Sequence, residues 1–151
     1  VIYDVCNSDY FYGWKGGGAY FNGQRIYAST YSSIKEAFVA TGFPFSDYSM
    51  FDVYMAVFKE LTMNVRGIRR LGSSALDIAL TAQGKFDIFF EYGLKIWDIA
   101  AGIIIATEAG CLFSDFSGNT KNYTGSSVLV ANKFLFNEML TIISKYLVLH
   151  S

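Results

Sequence analysis

The stretch Gly93-Leu94-Lys95-Ile96-Trp97-Asp98-Ile99-Ala100-Ala101-Gly102, continuing through Ile103-Ile104-Ile105-Ala106 to Glu108-Ala109-Gly110, decides the fold of this chain. Gly93 reads as loop, and Asp98 stands where that loop turns into a helix of Ile, Ala and Gly. Such a helix is too apolar and too small in side chain to face water, so it belongs near the centre of the fold, packed from several sides. Its apolar run, residues 99–107, is about half of the ~20 residues needed to span a bilayer. Asp98 has two readings on local sequence alone. It is an ordinary helix N-terminal Asp, favoured by the dipole by ~0.3–1 kcal/mol, or it is part of a site.

Outward from this helix, the chain punctuates itself. Downstream, Gly110 ends the helix, and strands are predicted over 111–113 and 127–131 on either side of a polar loop at 115–125. A last helix is predicted over 133–148. Upstream, residues 87–90 read as a buried strand ending at Glu91. Gly72-Ser73-Ser74 opens a helix over 75–82, with Leu76, Ala79 and Leu80 on its inward face and Gly84 as its C-terminal cap. Ser46 is placed to cap a helix over 47–62, whose Met50, Phe51, Val53, Tyr54, Val57, Phe58 and Leu61 recur at helical spacing. A strand is predicted over 34–40, and another enters near 66–71. Residues 1–27 read as pure β, with Asn22-Gly23 as a tight hairpin turn. Gly16-Gly17-Gly18 is a hairpin corner in this reading, because no Gly-Lys-Ser/Thr follows and the next segment is a strand. Close alternation of strand and helix from residue 65 onward implies a layered α/β fold.

Bulk properties narrow the function. With 151 residues, 52% hydrophobic and 18% aromatic, the chain has enough apolar material for one domain with a large core. A net charge of −1 offers no basic surface for nucleic acid, and nothing in the chain points to a membrane. His150 is the only histidine, which excludes a His-based triad or a His-rich zinc site within the chain. Cys6 and Cys111 lie far apart in apolar company and read as free core thiols in a reducing, cytoplasmic compartment. Val1-Ile2-Tyr3-Asp4-Val5 reads as a strand entered in mid-flow, and the expectation is that an N-terminal portion is missing.

Three groups carry candidate chemistry. Asp98 and Glu91, seven residues apart, bring two carboxylates to one edge from a helix start and a strand end. Such a pair suits an oxygen-liking cation such as magnesium, although two residues do not make a metal site. Gly72, Ser73 and Ser74 present free backbone N–H groups at a helix start, which suits an anion or hydroxyl unless the serines merely cap the helix. Arg66, Arg69 and Arg70 form the basic cluster, either solvated and ion-paired or drawing in a phosphorylated substrate.

Trp97-Asp98-Ile99-Ala100-Ala101-Gly102, with Glu108-Ala109-Gly110 and Asp115, resembles the second signature of the inositol monophosphatase family. Gly67-Ile68-Arg69-Arg70-Leu71-Gly72-Ser73-Ser74-Ala75-Leu76 resembles that family's substrate-contact segment, and Lys15-Gly16-Gly17-Gly18-Ala19 its Lys-Gly-x-Gly-Ala hairpin. The resemblance implies an alternating α/β sandwich of sugar-phosphatase type, usually a homodimer, that hydrolyses phosphate monoesters of inositol with Mg2+. It implies that Asp98 is a metal ligand, that Glu91 contacts an inositol hydroxyl, and that Gly72, Ser73 and Ser74 touch the ring.

Departures from the pattern shape the remaining expectations. The family's Asp-Pro-Ile-Asp-Gly-Thr block, which helps activate the water, has no counterpart here. Residues 1–151 are therefore expected to be the C-terminal part of a single domain, lacking roughly 40–45% of a family member by domain size. Such a partial domain would hold no catalytic residue of its own, have little or no activity alone, and expose an apolar sheet face. Cys111 stands where a second Gly is usual, and Lys95 lies in the loop that presents Asp98. Alternative readings are a related sugar- or nucleotide-phosphate phosphatase, or a non-catalytic partner subunit that associates through the aromatic-rich segment 48–58.

Overall fold

The computed structural model describes residues 1–43, 48–121 and 126–147. Four antiparallel strands come first, in the order β1 (Ile2–Asp4), β2 (Asp9–Trp14), β3 (Gly18–Phe21) and β4 (Gln24–Ile26). The turn between β3 and β4 is the predicted two-residue hairpin. Asn22 and Gly23 both take positive φ, +47° and +83°, which matches the twist of the paired strands.

The second sheet holds β5 (Phe38–Thr41), β6 (Gly67–Arg69), β7 (Ile88–Tyr92), β8 (Cys111–Ser114) and β9 (Ser127–Asn132), in the order β6-β5-β7-β9-β8. β5 runs parallel to β6 and β7, while β9 is antiparallel to β7 and β8. Its helices are α1 (Phe51–Asn64), α2 (Ser74–Ala82), α3 (Ile96–Glu108) and α4 (Phe136–Leu147). Period-two alternation divides the strand side chains between two cores. Phe89, Val128 and Val130 face α2 and α3, across which Phe11, Ala19 and Ile26 of the first sheet close the layer. Ile88, Phe90, Leu129 and Ala131 face α1 and α4. The order of layers is sheet, helix pair, sheet, helix pair.

This layering corrects the expectation of a partial domain with a bare sheet. Both faces of the second sheet are covered by helices of the same chain, and β7 is buried along its whole length. On the outer side of the first sheet, Tyr12 stacks on Tyr20 across the strands with centroids 5.1 Å apart, and Tyr10 and Trp14 extend the row.

α3 sits in the middle helical layer, as its composition requires. Gly102 lets it approach α2, because a Cβ there would come within 2.8 Å of Ile78 Cγ2. One stripe, Trp97, Ala100, Ile104 and Thr107, nevertheless stays exposed, so α3 is not enclosed on every side. No helix among the described residues is long and apolar enough to cross a membrane.

Several element boundaries differ from expectation. Residues 34–40 divide into a 3-10 turn (Ile34–Glu36) and β5, because Ala37 N–H bonds back to Ile34 O before the chain extends. The proposed Ser46 cap and Asp47, like His150, lie outside the described residues. α4 starts at Phe136, where Asn132 Oδ1 accepts from the N–H groups of Phe134 and Leu135 at 3.0 Å. Both cysteines are free, but only Cys111 is a core thiol. Cys6 is exposed, because its N–H turns back to Asp4 Oδ1 in the β1–β2 turn. Cys111 lies buried below Thr81 O, and burial pushes its thiol up to about 12.

Replacing Gly102 by Val should force α2 and α3 apart. Because Ile78 is branched at Cβ, which the new side chain would also crowd, it cannot swing clear, and the expected loss is about 3 kcal/mol in a denaturant titration. An unchanged midpoint would show that the two helices do not depend on that approach.

Candidate functional site

Strand alternation turns Glu91 toward the same side as Phe89, into the layer that holds α2 and α3. α2 begins beside it, and the Ser74 hydroxyl donates to Glu91 Oε2 at 2.7 Å. Beyond β7 the chain turns at Gly93 (φ +82°), anchored by its N–H on Ser126 O, and re-enters the fold as α3. Asp98, in the first turn of α3, accepts the Lys95 N–H at Oδ2 at 2.9 Å. The cap reading of Asp98 is thus realised through one of its oxygens. A cleft of about 440 Å³ lies between these elements, lined by Gly72, Ser73, Ser74, Ala75, Glu91, Leu94, Trp97 and Asp98. The five residues to which the family resemblance gives a role, Gly72, Ser73, Ser74, Glu91 and Asp98, all border it, and it receives the N-termini of two helices, whose partial positive charge favours anionic or oxygen-rich ligands.

The two serines divide the alternatives left open by sequence. Ser73 is the N-cap of α2, its Oγ accepting weakly from Leu76 N at 3.4 Å, whereas Ser74 spends its hydroxyl on Glu91. Gly72 adopts φ +96°, a conformation that side chains disfavour and that sets up the turn into α2. The arginines do not act as one cluster. Arg69 lies over the Phe38 ring at 4.7 Å, and Arg66 lines a separate cleft with Glu36 and Asp87. Arg70 alone acts on the carboxylates of the candidate site.

Burial pushes the Glu91 carboxyl above its ordinary range, with the Ser74 hydrogen bond and Arg70 opposing and the Asp98 charge adding to the rise. Sequence reasoning missed Asp77, on α2, which is 1% exposed and whose Oδ1 has no hydrogen-bond partner. Burial, reinforced by the Glu91 charge and opposed by Arg70, raises Asp77 to about 7. The available signal was its place between the apolar Leu76 and Ile78 in a helix with an inward face. Glu108 was quoted in the family signature, but its role was missed. Its two carboxylate oxygens accept the N–H groups of Gly16 and Gly18, at 2.7 and 2.8 Å, and these bonds hold its pKa low. The glycine corner therefore does cradle an anion, namely a carboxylate of this chain, and ties the first sheet to the end of α3.

Magnesium asks for several oxygen ligands. Among the described residues no group of three or more His, Cys, Asp or Glu could hold a metal ion. Glu91 and Asp98 share the cleft, but each already accepts a hydrogen bond, and the pair does not by itself fit the ion.

The sequence model of the inositol monophosphatase family matches residues 1–147. The chain belongs to the inositol monophosphatase family. Nus factor SuhB of Pseudomonas aeruginosa is 38% identical over 149 residues, covering 97% of this chain and 55% of that protein. The crystal structure of extragenic suppressor protein suhB from Bartonella henselae superposes with a TM-score of 0.89 at 31% identity, over 95% of this chain and 55% of that one. The inositol monophosphatase from Anabaena (Nostoc) sp. PCC 7120 gives 0.87 at 29% identity, over 95% and 57%.

These matches correct the expectation that only a C-terminal portion of the family's domain is represented. The family match runs through nearly the whole chain, and so does the family's α/β sandwich. The chain spans about half the length of the curated relatives it matches, 55% for the Pseudomonas protein.

The Asp77 carboxyl makes a prediction about pH. Its folded pKa, about 7, lies above the unfolded value of 3.8, so the unfolded chain releases the proton first as pH rises. Stability from this group is complete below pH 3.8 and falls away up to pH 7, by at most about 4 kcal/mol. Asp77→Asn should remove that slope and raise the thermal midpoint at pH 8. A midpoint at pH 8 equal to or below wild type would show that burial does not raise the Asp77 pKa.

Proposed function

We propose that this chain acts in hydrolysing phosphate monoesters of inositol, as a Mg2+-dependent phosphoric monoester hydrolase. The observation that carries this reading is the meeting of Glu91, Ser74 and Asp98 with two helix N-termini on one cleft. A cyclic polyol phosphate needs both an acceptor for ring hydroxyls and donors for its oxygens. Glu91 is the acceptor, oriented by Ser74, and the free N–H groups of the first turn of α2 with Gly72 and Ser73 are the donors. The name of the Anabaena relative, inositol monophosphatase, supports the same substrate.

Magnesium enters this reading through the family. Asp98 is its proposed ligand, offering the oxygen that Lys95 does not engage. Bound there with further oxygen ligands, such an ion would supply Lewis-acid chemistry to the phosphate ester. This chain's residues bind and orient the ring at the cleft, and Trp97, 76% exposed, forms its rim.

A homodimer accompanies the reading. The outward side of α1 presents Phe51, Met55 and Met63 to solvent, and a shallow apolar groove runs along Met55, Phe58 and Met63. Free thiols at both cysteines suit a reducing compartment, so the proposed location is the cytoplasm.

Three measurements test this reading. Glu91→Gln should raise KM for an inositol monophosphate about tenfold while leaving KM for an aryl phosphate within twofold, the cost of one hydrogen bond to a charged acceptor. Equal effects on both would remove Glu91 from ring recognition. Asp98→Asn should shift the Mg2+ dependence of turnover at least tenfold to higher concentration, and an unchanged titration would end the ligand assignment. Met55→Lys should convert the dimer to monomer in light scattering, whereas a dimer that persists would place the contact elsewhere.

A further inference from the structure

The carboxylate of Glu91 occupies the space that a side chain at position 42 would take. A Cβ built on Gly42 would collide with Oε1, Cδ and Oε2 of Glu91 together. Gly42 is absent from the glycines of positive φ, so its backbone is one that any residue adopts. What position 42 requires is the absence of a side chain.

The surrounding structure prevents Gly42 from yielding. Thr41 pairs with Phe90 in the parallel β5–β7 register, which brings the next residues, Gly42 and Glu91, side by side. Thr41 Oγ1 donates to Phe90 O at 2.6 Å, and the buried Tyr54 hydroxyl of α1 donates to Gly42 O at 2.7 Å. The main chain is thereby held from both the sheet and α1. Glu91 is held from the far side by Ser74. Its carboxylate lies between a bare stretch of backbone and one hydroxyl.

We propose that Gly42 is a positioning residue for recognition of the cyclic polyol: its missing side chain is the seat that holds the Glu91 carboxylate against Ser74 and in the cleft. This rests on the reading of Glu91 as the acceptor for a ring hydroxyl. The seat also acts as a size rule. With glycine at position 42, the longer Glu reaches Ser74. With alanine there, Glu91 must leave, and only a shorter carboxylate fits.

The test is the crystal structure and kinetics of Gly42→Ala. The expected structure shows the Ser74–Glu91 hydrogen bond broken and the carboxylate displaced; a carboxylate still on Ser74 would overturn the proposal. In kinetics, KM for an inositol monophosphate should rise about tenfold, and by more than KM for an aryl phosphate, and Gly42→Ala combined with Glu91→Gln should be no worse than Glu91→Gln alone. Additive losses would mean that Gly42 acts apart from Glu91 and would overturn the proposal too. If Glu91→Gln itself fails to separate the two substrates, the ring-acceptor reading falls, and the positioning role falls with it even where the structure shows Glu91 displaced. If Glu91→Gln separates them and Gly42→Ala behaves as wild type, the positioning role alone falls. Should Gly42→Ala fail to fold, Gly42→Ala with Glu91→Asp should regain the wild-type fold, since the steric conflict is then relieved. Failure of that pair to fold would overturn the proposal.

Discussion

The close approach of α2 and α3, made possible by Gly102 lying against Ile78, is the constraint on which the cleft depends. The N-termini of both helices open on it, so the distance between their axes sets how far Ser74 stands from Asp98. Packed interiors transmit small displacements because they have few voids to absorb them. A side chain inserted at Gly102 would therefore be felt at the cleft as well as in the core. The opposite end of α3 is fixed by different means. Glu108 is poorly placed for the helix dipole, which disfavours an anion at a C-terminus. It is retained by two backbone N–H groups of the glycine corner, and in exchange it binds the first sheet to the helix.

Four carboxylates illustrate how environment assigns roles to similar groups. Glu108 is half-buried and doubly bonded to N–H groups, which keeps it charged. Asp98 is half-buried and closes the first turn of its own helix. Glu91 is buried, bound to one hydroxyl, and its pKa is displaced upward. Asp77 is enclosed without a partner at Oδ1 and is displaced furthest, to about 7. The Glu91 charge raises the cost of ionising Asp77, the Asp98 charge does the same to Glu91, and Arg70 offsets both. Burial near a like charge and a single cation is an arrangement that tunes carboxyl groups.

Much of this could be read from the chain in order. Asn22-Gly23 specified the hairpin because two successive left-handed residues are what such a turn needs. The small apolar residues after Asp98 specified a central helix, and the block of residues around it led to the family. The exposed stripe of α3 was not legible. Trp97, Ala100 and Ile104 are no more polar than the buried Ile99 and Ile103, so composition could not separate the two sides of that helix. Element ends were also displaced: α3 begins at Ile96, ahead of the Asp taken to mark its start, because Asp98 caps by reaching back to Lys95.

Sequence by itself determined the α/β class, the family and five of the eight residues that line the cleft, because these follow from local periodicity, turn chemistry and motifs of fixed spacing. Tertiary structure alone decided which serine caps and which binds Glu91, that Glu108 belongs to Gly16 and Gly18, and that Gly42 must lack a side chain. Apart from the local Ser73 cap, each of these is a contact between segments between 17 and 92 residues apart. No local pattern encodes such pairings, since they exist only once parallel strand register and helix packing bring the segments into reach.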